Sequence, residues 1–221
     1  VCTGKEDSLQ SMYPMKYAED QGAVKFDFLG LQNLSTIDNT IDLISKSRPE
    51  SVKLDITRIP MDDPLTFNLF CSADTIGVFQ LESSGMKRLV SNMQPSAFED
   101  IVAILALYRP GPLGSGMVED YVQCKHKRKR VIFPHPLMAD ILKETYGVMV
   151  YQEQIIQSVQ VLAGFSLGQA DLLRRAIGKK TVEILAEQRL QFVEGCLKNT
   201  KFVEQFPRDS NPENKANEIF D

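Results

Sequence analysis

Apolar residues along this chain recur mostly at intervals of three and four, the spacing of one face of an α-helix, and one short run alternates instead. Leu34, Ile37, Ile41 and Ile44 make a stripe that predicts an amphipathic helix ending before Pro49. Asp63 followed by Pro64 reads as an N-cap with proline at the first helical position, opening a short helix through Phe70. Thr75 to Leu81 is apolar and partly β-branched, and Ser83-Ser84-Gly85 then leads into a helix with Met86, Leu89 and Val90 that reaches Pro95. Ser96 is the expected cap of the next helix, with Glu99 and Asp100 in its first turn and Phe98, Ile101, Val102 and Leu105 as its buried side. Helices are also expected from Met117 to Gln123, from the break Pro134-His135-Pro136 to about Thr145, and from Gln152 to Gly164 over Ile155, Ile156, Val159 and Leu162. Thr181 should cap a long helix whose core stripe is Val182, Leu185, Ala186, Leu190, Val193 and Leu197. Residues 1–23 read as loop, and Pro207 to Asn217 as a polar linker.

The alternating run is Val24 to Leu31, expected to be a short strand ended by Gly30. Alternation puts Val24, Phe26 and Phe28 on a packed face and Lys25 with Asp27 on the exposed one, about 6–7 Å apart. A carboxylate and an ammonium so placed can hold a divalent ion and a phosphate side by side; a solvated surface pair is the plainer reading.

With 221 residues, 43% hydrophobic and 24% charged, the chain has the make-up of an ordinary globular protein, large enough for one domain or two small ones. No apolar run approaches the roughly 20 residues of a membrane span and no signal peptide is visible, so a cytoplasmic location is expected. Four scattered cysteines and two histidines, His126 and His135, point to neither a zinc site nor a disulfide framework. The start at Val1 and the helix-like beginning at Asn217 near the last residue, Asp221, read as an excised piece of something longer.

The net charge of −4 is unevenly spread, because Ile104 to Lys180 holds eleven Lys/Arg against six acids, a balance of +5 that leaves −9 elsewhere. Three basic features stand out. Tyr108 to Gly116 packs two prolines and three glycines into nine residues beside Arg109, a stretch expected to be neither helix nor strand. It is a rigid turn, or a place where backbone amides approach a ligand next to a planar donor. Lys125, Lys127, Arg128, Lys129 and Arg130 form the densest cluster, an interaction surface or a solvated helix end, within which His126 reads as surface. Arg174, Arg175, Lys179 and Lys180 crowd four cations into seven positions at a helix end, more than the helix dipole requires.

Val24–Leu31, Gly77–Met86, Leu107–Met117, Thr145–Gln154 and Asp171–Lys180 together resemble the C family of bacterial replicative DNA polymerases, that of the DNA polymerase III alpha subunit, in one register over about residues 10 to 200. The resemblance implies a mainly α fold, α+β overall. Residues 1–33 would be the end of a nucleotidyltransferase-like palm, 34–206 a helical fingers domain, and 207–221 a polar linker with the start of a truncated helix. It implies template-directed DNA synthesis with Mg2+, with primer-template DNA, deoxynucleoside triphosphates and other replisome subunits as partners and no membrane. Asp27 would be the third metal-binding, catalytic aspartate and Lys25 a lysine near the triphosphate. Arg109, Arg174, Arg175, Lys179 and Lys180 would face the nucleotide or template, and Lys125 and residues 127–130 are candidates for holding DNA. The family's other two aspartates lie in an Asp-x-Asp motif, which occurs nowhere in this chain, so the piece is expected to be inactive alone. Tyr108, Tyr146 or Tyr151 would stack on a base or sit in a helical core. The competing expectation is a non-catalytic helical module that docks nucleic acid or replisome proteins through its basic cluster.

Overall fold

The computed structural model describes residues 2–3, 9–48, 54–206 and 211–221; Pro49 and the first linker residues, 207–210, lie outside them. The chain divides into two compact units, Val1–Ile59 and Pro60–Asp221. As expected, it is mostly helical. Among the described residues no helix is long and apolar enough to cross a membrane.

The first unit carries a minimal antiparallel ribbon, β1 (Cys2–Thr3) against β2 (Leu9–Gln10), and two helices, α1 (Met15–Asp20) and α2 (Gln32–Ser47). The ribbon and α1 replace the loop expected over residues 1–23. Helix α2 forms where its stripe predicts, yet neither α1 nor α2 buries a residue. The strand expected at Val24–Leu31 is absent: residues 23–31 have no regular structure and pair with no other strand. Phe26 is 74% exposed and Phe28 94%, so the expected packed face is open to solvent. Alternation makes a strand only where a neighbouring edge accepts its amides and carbonyls and a surface covers its apolar side. The described residues of this unit provide neither for that segment.

The second unit builds two hydrophobic clusters. The first lies among α3 (Pro64–Cys71), α4 (Ser84–Met93), α5 (Phe98–Leu107), α6 (Pro110–Gly114) and α7 (Met117–Lys125), with Val90, Met93, Ile104 and Leu107 at its centre. The second is formed around α8 (Ala139–Leu142), α9 (Gln152–Ala163), α10 (Leu167–Lys179), α11 (Val182–Lys198), α12 (Thr200–Val203) and α13 (Pro212–Phe220), with Leu162, Phe192 and Phe202 fully enclosed. Caps set several starts. Asp63 accepts from the Thr66 amide at 2.8 Å, and Ser166 from the Gln169 amide at 3.3 Å.

Four expectations fail here for identifiable reasons. The buried side of α5 is Asp100, Ala103, Ile104 and Leu107, whereas Phe98, Val102 and Leu105 are exposed. A helix apolar all round gives periodicity nothing to choose between, and the Asp100 carboxylate chooses. It accepts from the amides of Ser96 (2.7 Å) and Ala97 (3.1 Å) and pairs with Lys125 Nζ at 2.8 Å, each side chain only 8% exposed. The cap is therefore inverted: Asp100 reaches back to Ser96, and Ser96 does not cap the helix. In α11 the buried positions are Gln188, Phe192 and Cys196, while Val182 and Leu190 face solvent and the Thr181 hydroxyl makes no capping bond. The Pro/Gly stretch closes one helical turn, α6, because Pro110 sits at its first position, where no amide is needed. Finally, the described end of the expected linker is helix α13, capped by Asn211 and docked on α11 through Ala216 and Phe220.

His135, at the expected break, is fully buried and stacked on Phe202 with ring centroids 4.5 Å apart. Its Nδ1 accepts from the Leu137 amide, so Nε2 carries the proton and donates to the Phe202 carbonyl at 3.2 Å.

Burial pushes the Asp100 carboxyl up, but the Lys125 ammonium and the two amides outweigh it and leave it below its ordinary value. Lys125→Met should destabilise the chain by about 3–5 kcal/mol in urea denaturation, since it strands a buried carboxylate, and Asp100→Asn in the same chain, neutral but with an amide oxygen that still accepts from Ser96 and Ala97, should restore part of the loss. The folded-state value being the lower one, this stabilisation is complete above the unfolded carboxylate range and fades as pH falls through the folded value. The stability gap to Asp100→Asn should therefore narrow below about pH 4.

Candidate functional site

The four motif segments of the second unit converge around one extended stretch. A turn at Lys143–Thr145 ends with Tyr146 in the left-handed region (φ 54°), followed by Gly147 (φ 84°), where a Cβ would run into the Ile132 carbonyl. From there the side chains alternate. Tyr146, Val148 and Val150 enter the first cluster and Met149 the second, and Tyr146 meets Tyr121 edge-on at 5.1 Å. Gln154, buried, holds the stretch: its Oε1 accepts from the amides of Val150 (2.8 Å) and Tyr151 (2.9 Å). Its Nε2 donates to Ile141 O (3.2 Å) and Thr145 Oγ1 (2.8 Å).

Two further contacts complete the assembly. The Tyr108 hydroxyl lies so close over Gly85 that no Cβ fits there, which joins Gly77–Met86 to Leu107–Met117. Arg174 Nη1 donates to Gln152 Oε1 at 2.8 Å, which joins Asp171–Lys180 to Thr145–Gln154. Tyr108 and Tyr146 are thereby occupied in packing, and Tyr151 is half-buried, its hydroxyl pKa raised by burial and by the nearby Glu144, Asp100 and Glu99 carboxylates.

The expected cations sort into held and free. Arg174 also binds Asp171 Oδ1 through Nε (2.9 Å) and Nη2 (2.8 Å), while Arg175 Nη2 meets Asp171 Oδ2 at 2.7 Å. The Arg174 hydrogen bond, with the charge of Arg175, holds the Asp171 carboxyl below its usual range. Lys179 and Lys180 are exposed at the end of α10, with Lys180 in the left-handed capping position. Arg109, exposed at the N-cap of α6, makes no side-chain ion pair or hydrogen bond among the described residues, and no such bond joins it to α10. In the dense cluster Lys125 is turned inward to Asp100, which removes it from the expected DNA-holding surface. Lys129 pairs with Asp120 at 2.7 Å. Lys127, Arg128 and Arg130 remain exposed without side-chain partners among the described residues; His126 Nε2 lies 2.9 Å from the Asn92 carbonyl.

In the first unit Asp27 and Lys25 are exposed and paired with each other at 3.2 Å. An apolar cavity of about 760 Å³ beside α9, α10 and α11 takes in none of these candidate residues, so it is no part of the charged site. Sequence reasoning missed the anchoring roles of Gln154 and Gln152, neutral residues inside quoted motifs, and of Asp171, whose place three and four residues before Arg174 and Arg175 was the signal that could have found it.

The sequence pattern of the bacterial DNA polymerase III alpha subunit finger domain matches residues 33–200. The chain belongs to this family. DNA polymerase III subunit alpha of Bacillus subtilis is 45% identical over 218 residues, covering 99% of this chain and 18% of that protein. The Haemophilus influenzae and Escherichia coli subunits are 51% and 47% identical over 188 residues, each covering 82% of this chain and 16% of the relative. The chain thus spans less than a fifth of the length of these relatives. Arg109, residues 125–130 and the α10 cations fall inside the finger match, whereas Lys25 and Asp27 lie before it and inside the Bacillus subtilis match, which covers 99% of the chain.

Gln154→Leu should cost about 2–5 kcal/mol, because it leaves two sheltered amides without an acceptor. Hydrogen exchange should accelerate first at Val150 and Tyr151, ahead of the helix amides of α9.

Proposed function

We propose that this chain is the finger portion, with an adjoining end of the palm over residues 1–33, of a cytoplasmic bacterial replicative DNA polymerase. The whole protein performs template-directed DNA synthesis on primer-template DNA from deoxynucleoside triphosphates, in company with other replisome subunits. The supporting observation is that four segments of the finger family assemble one packed body whose outer cations, Arg109, Arg175, Lys179 and Lys180, are exposed. Nucleotidyl transfer proceeds by in-line attack of a 3′-hydroxyl on the α-phosphorus and leaves negative charge on the departing pyrophosphate. Arg and Lys side chains stabilise that charge without rearranging at the moment of reaction.

Asp27 is assigned as one ligand of catalytic Mg2+, which in this chemistry polarises phosphate oxygens, and Lys25 as a neighbour of the triphosphate. Among the described residues no group of three or more His, Cys, Asp or Glu side chains is placed to hold a metal, and Asp27 is a lone exposed carboxylate beside Lys25. A two-ion site needs more than one carboxylate, so these residues do not by themselves fit it. Asp27 would serve only together with acids from the rest of the polymerase, and the chain alone is inactive in this reading.

A second reading, a non-catalytic module that docks nucleic acid or replisome proteins, is favoured by the unpartnered Lys127, Arg128 and Arg130. The two readings separate cleanly. In the intact polymerase Asp27→Asn should abolish nucleotide incorporation while DNA affinity stays within about twofold; retained incorporation would count against the catalytic assignment. For DNA held by the cluster, neutralising Lys127, Arg128 and Arg130 together should flatten the slope of log affinity against log salt by about 0.9 per lost phosphate contact on duplex DNA. An unchanged slope removes the cluster from the DNA interface.

A further inference from the structure

We infer that Asp171 is a positioning residue for the nucleotide site, a role that rests on the reading above in which the α10 cations meet the triphosphate. Arg174 and Arg175 are adjacent in sequence but differ in how they are held. Arg174, 28% exposed in its side chain, is engaged at all three guanidinium nitrogens, two on Asp171 Oδ1 and the third on Gln152 of α9. Arg175, 65% exposed, has one tether, from Nη2 to Asp171 Oδ2. One carboxylate therefore grips a buttressed guanidinium with one oxygen and aims a free one with the other.

The division of labour follows. Arg174 fastens α10 to the start of α9 and keeps the Asp171 carboxylate from rotating. Arg175, one helical turn after Asp171, keeps four of its five N–H donors for a ligand while its direction is set. A long side chain that is already oriented loses less freedom when it meets a phosphate, and a planar fork is of use only when it points the right way. Lys179 and Lys180, without such a tether, add charge but no fixed direction. The chemical class served is the oligophosphate tail of a nucleoside triphosphate.

The substitution Asp171→Asn tests this with little else disturbed. The amide oxygen can still accept both Arg174 bonds, while its NH2 replaces the acceptor that Arg175 used. In the intact polymerase it should raise the KM for deoxynucleoside triphosphate about tenfold with kcat within about twofold, although the variant adds net positive charge. The rise should vanish in an Arg175→Gln background, since the two changes remove one interaction. Should Asp171→Asn lower the melting temperature, Asp171→Glu, which keeps the charge and shifts it by one methylene, should give a smaller KM rise that again disappears with Arg175→Gln. If Arg175→Gln raises KM but Asp171→Asn leaves it unchanged, lowers it or adds to it in full, the positioning role is overturned. If neither Arg175→Gln nor joint neutralisation of Lys179 and Lys180 alters KM, the triphosphate reading itself falls.

Discussion

The second unit depends on how the backbone between its two clusters is held, and one side chain carries much of that task. Two hydrophobic clusters lie side by side, and the stretch from Tyr146 to Tyr151 runs between them, supplying residues to each in turn. Such a stretch has no helical bonds of its own and no strand partner, so its sheltered amides must find acceptors elsewhere. The amides of Tyr146, Gly147 and Val148 bond back to carbonyls at positions 142, 143 and 145, and Gln154, from the first turn of the following helix, accepts from those of Val150 and Tyr151 and donates to the preceding turn. The same residues thus join the two clusters and start α9. Arg174 meets that start at Gln152, so the orientation of α10 and its cations is set against this junction.

Charge is sorted by the same packing. Lys125 and Asp100 are drawn inside, where the pair is satisfied by backbone amides as well as by each other, and this choice decides which face of α5 is buried. Lys129 is partly neutralised by Asp120, and Arg174 by Asp171. Among the described residues of the basic middle, Arg109, Lys127, Arg128, Arg130, Lys179 and Lys180 stay outward and without a side-chain partner, a smaller set than the count of basic residues there suggests. A positive patch counted from sequence overstates the charge offered to a polyanion, because ion pairing inside the unit consumes part of it.

Much of the helical framework was legible in the residues. Asp63-Pro64 and the 3–4 spacing of Leu34 to Ile44 each mark an element that forms where expected. Faces were harder to read. In α5 and α11 apolar residues occupy more than one side, so periodicity is ambiguous and a polar residue, Asp100 or Gln188, occupies the buried face. Pro110-Gly111-Pro112 signals a break, and the break turns out to be one helical turn, since proline is disfavoured inside a helix but accommodated at its start. Of the candidate site, the identity of the cations was visible and their pairing was not. Which acid meets Lys125 depends on a fold that brings together residues 25 positions apart.

The contrast between the two units carries the last step. The second unit encloses the centres of its two clusters, among them Phe192, Phe202 and Ile104, although Leu65, Ile76, Val182 and Leu190 face solvent. In the first unit Val24, Phe26, Phe28 and Leu29 all face solvent around the Lys25–Asp27 pair. Exposing four large apolar residues in six positions is unfavourable by roughly 25 cal/mol for each Å² left in water, and a contiguous apolar run of this kind marks a contact surface. An alternating segment with one charged and one apolar face has the pattern of a strand whose apolar face belongs against a sheet or helix layer. The relatives, more than five times the length of the matched part, have ample chain to provide it. The second unit thus covers its own cluster centres, whereas Asp27 sits on an exposed segment whose apolar side chains no described residue buries.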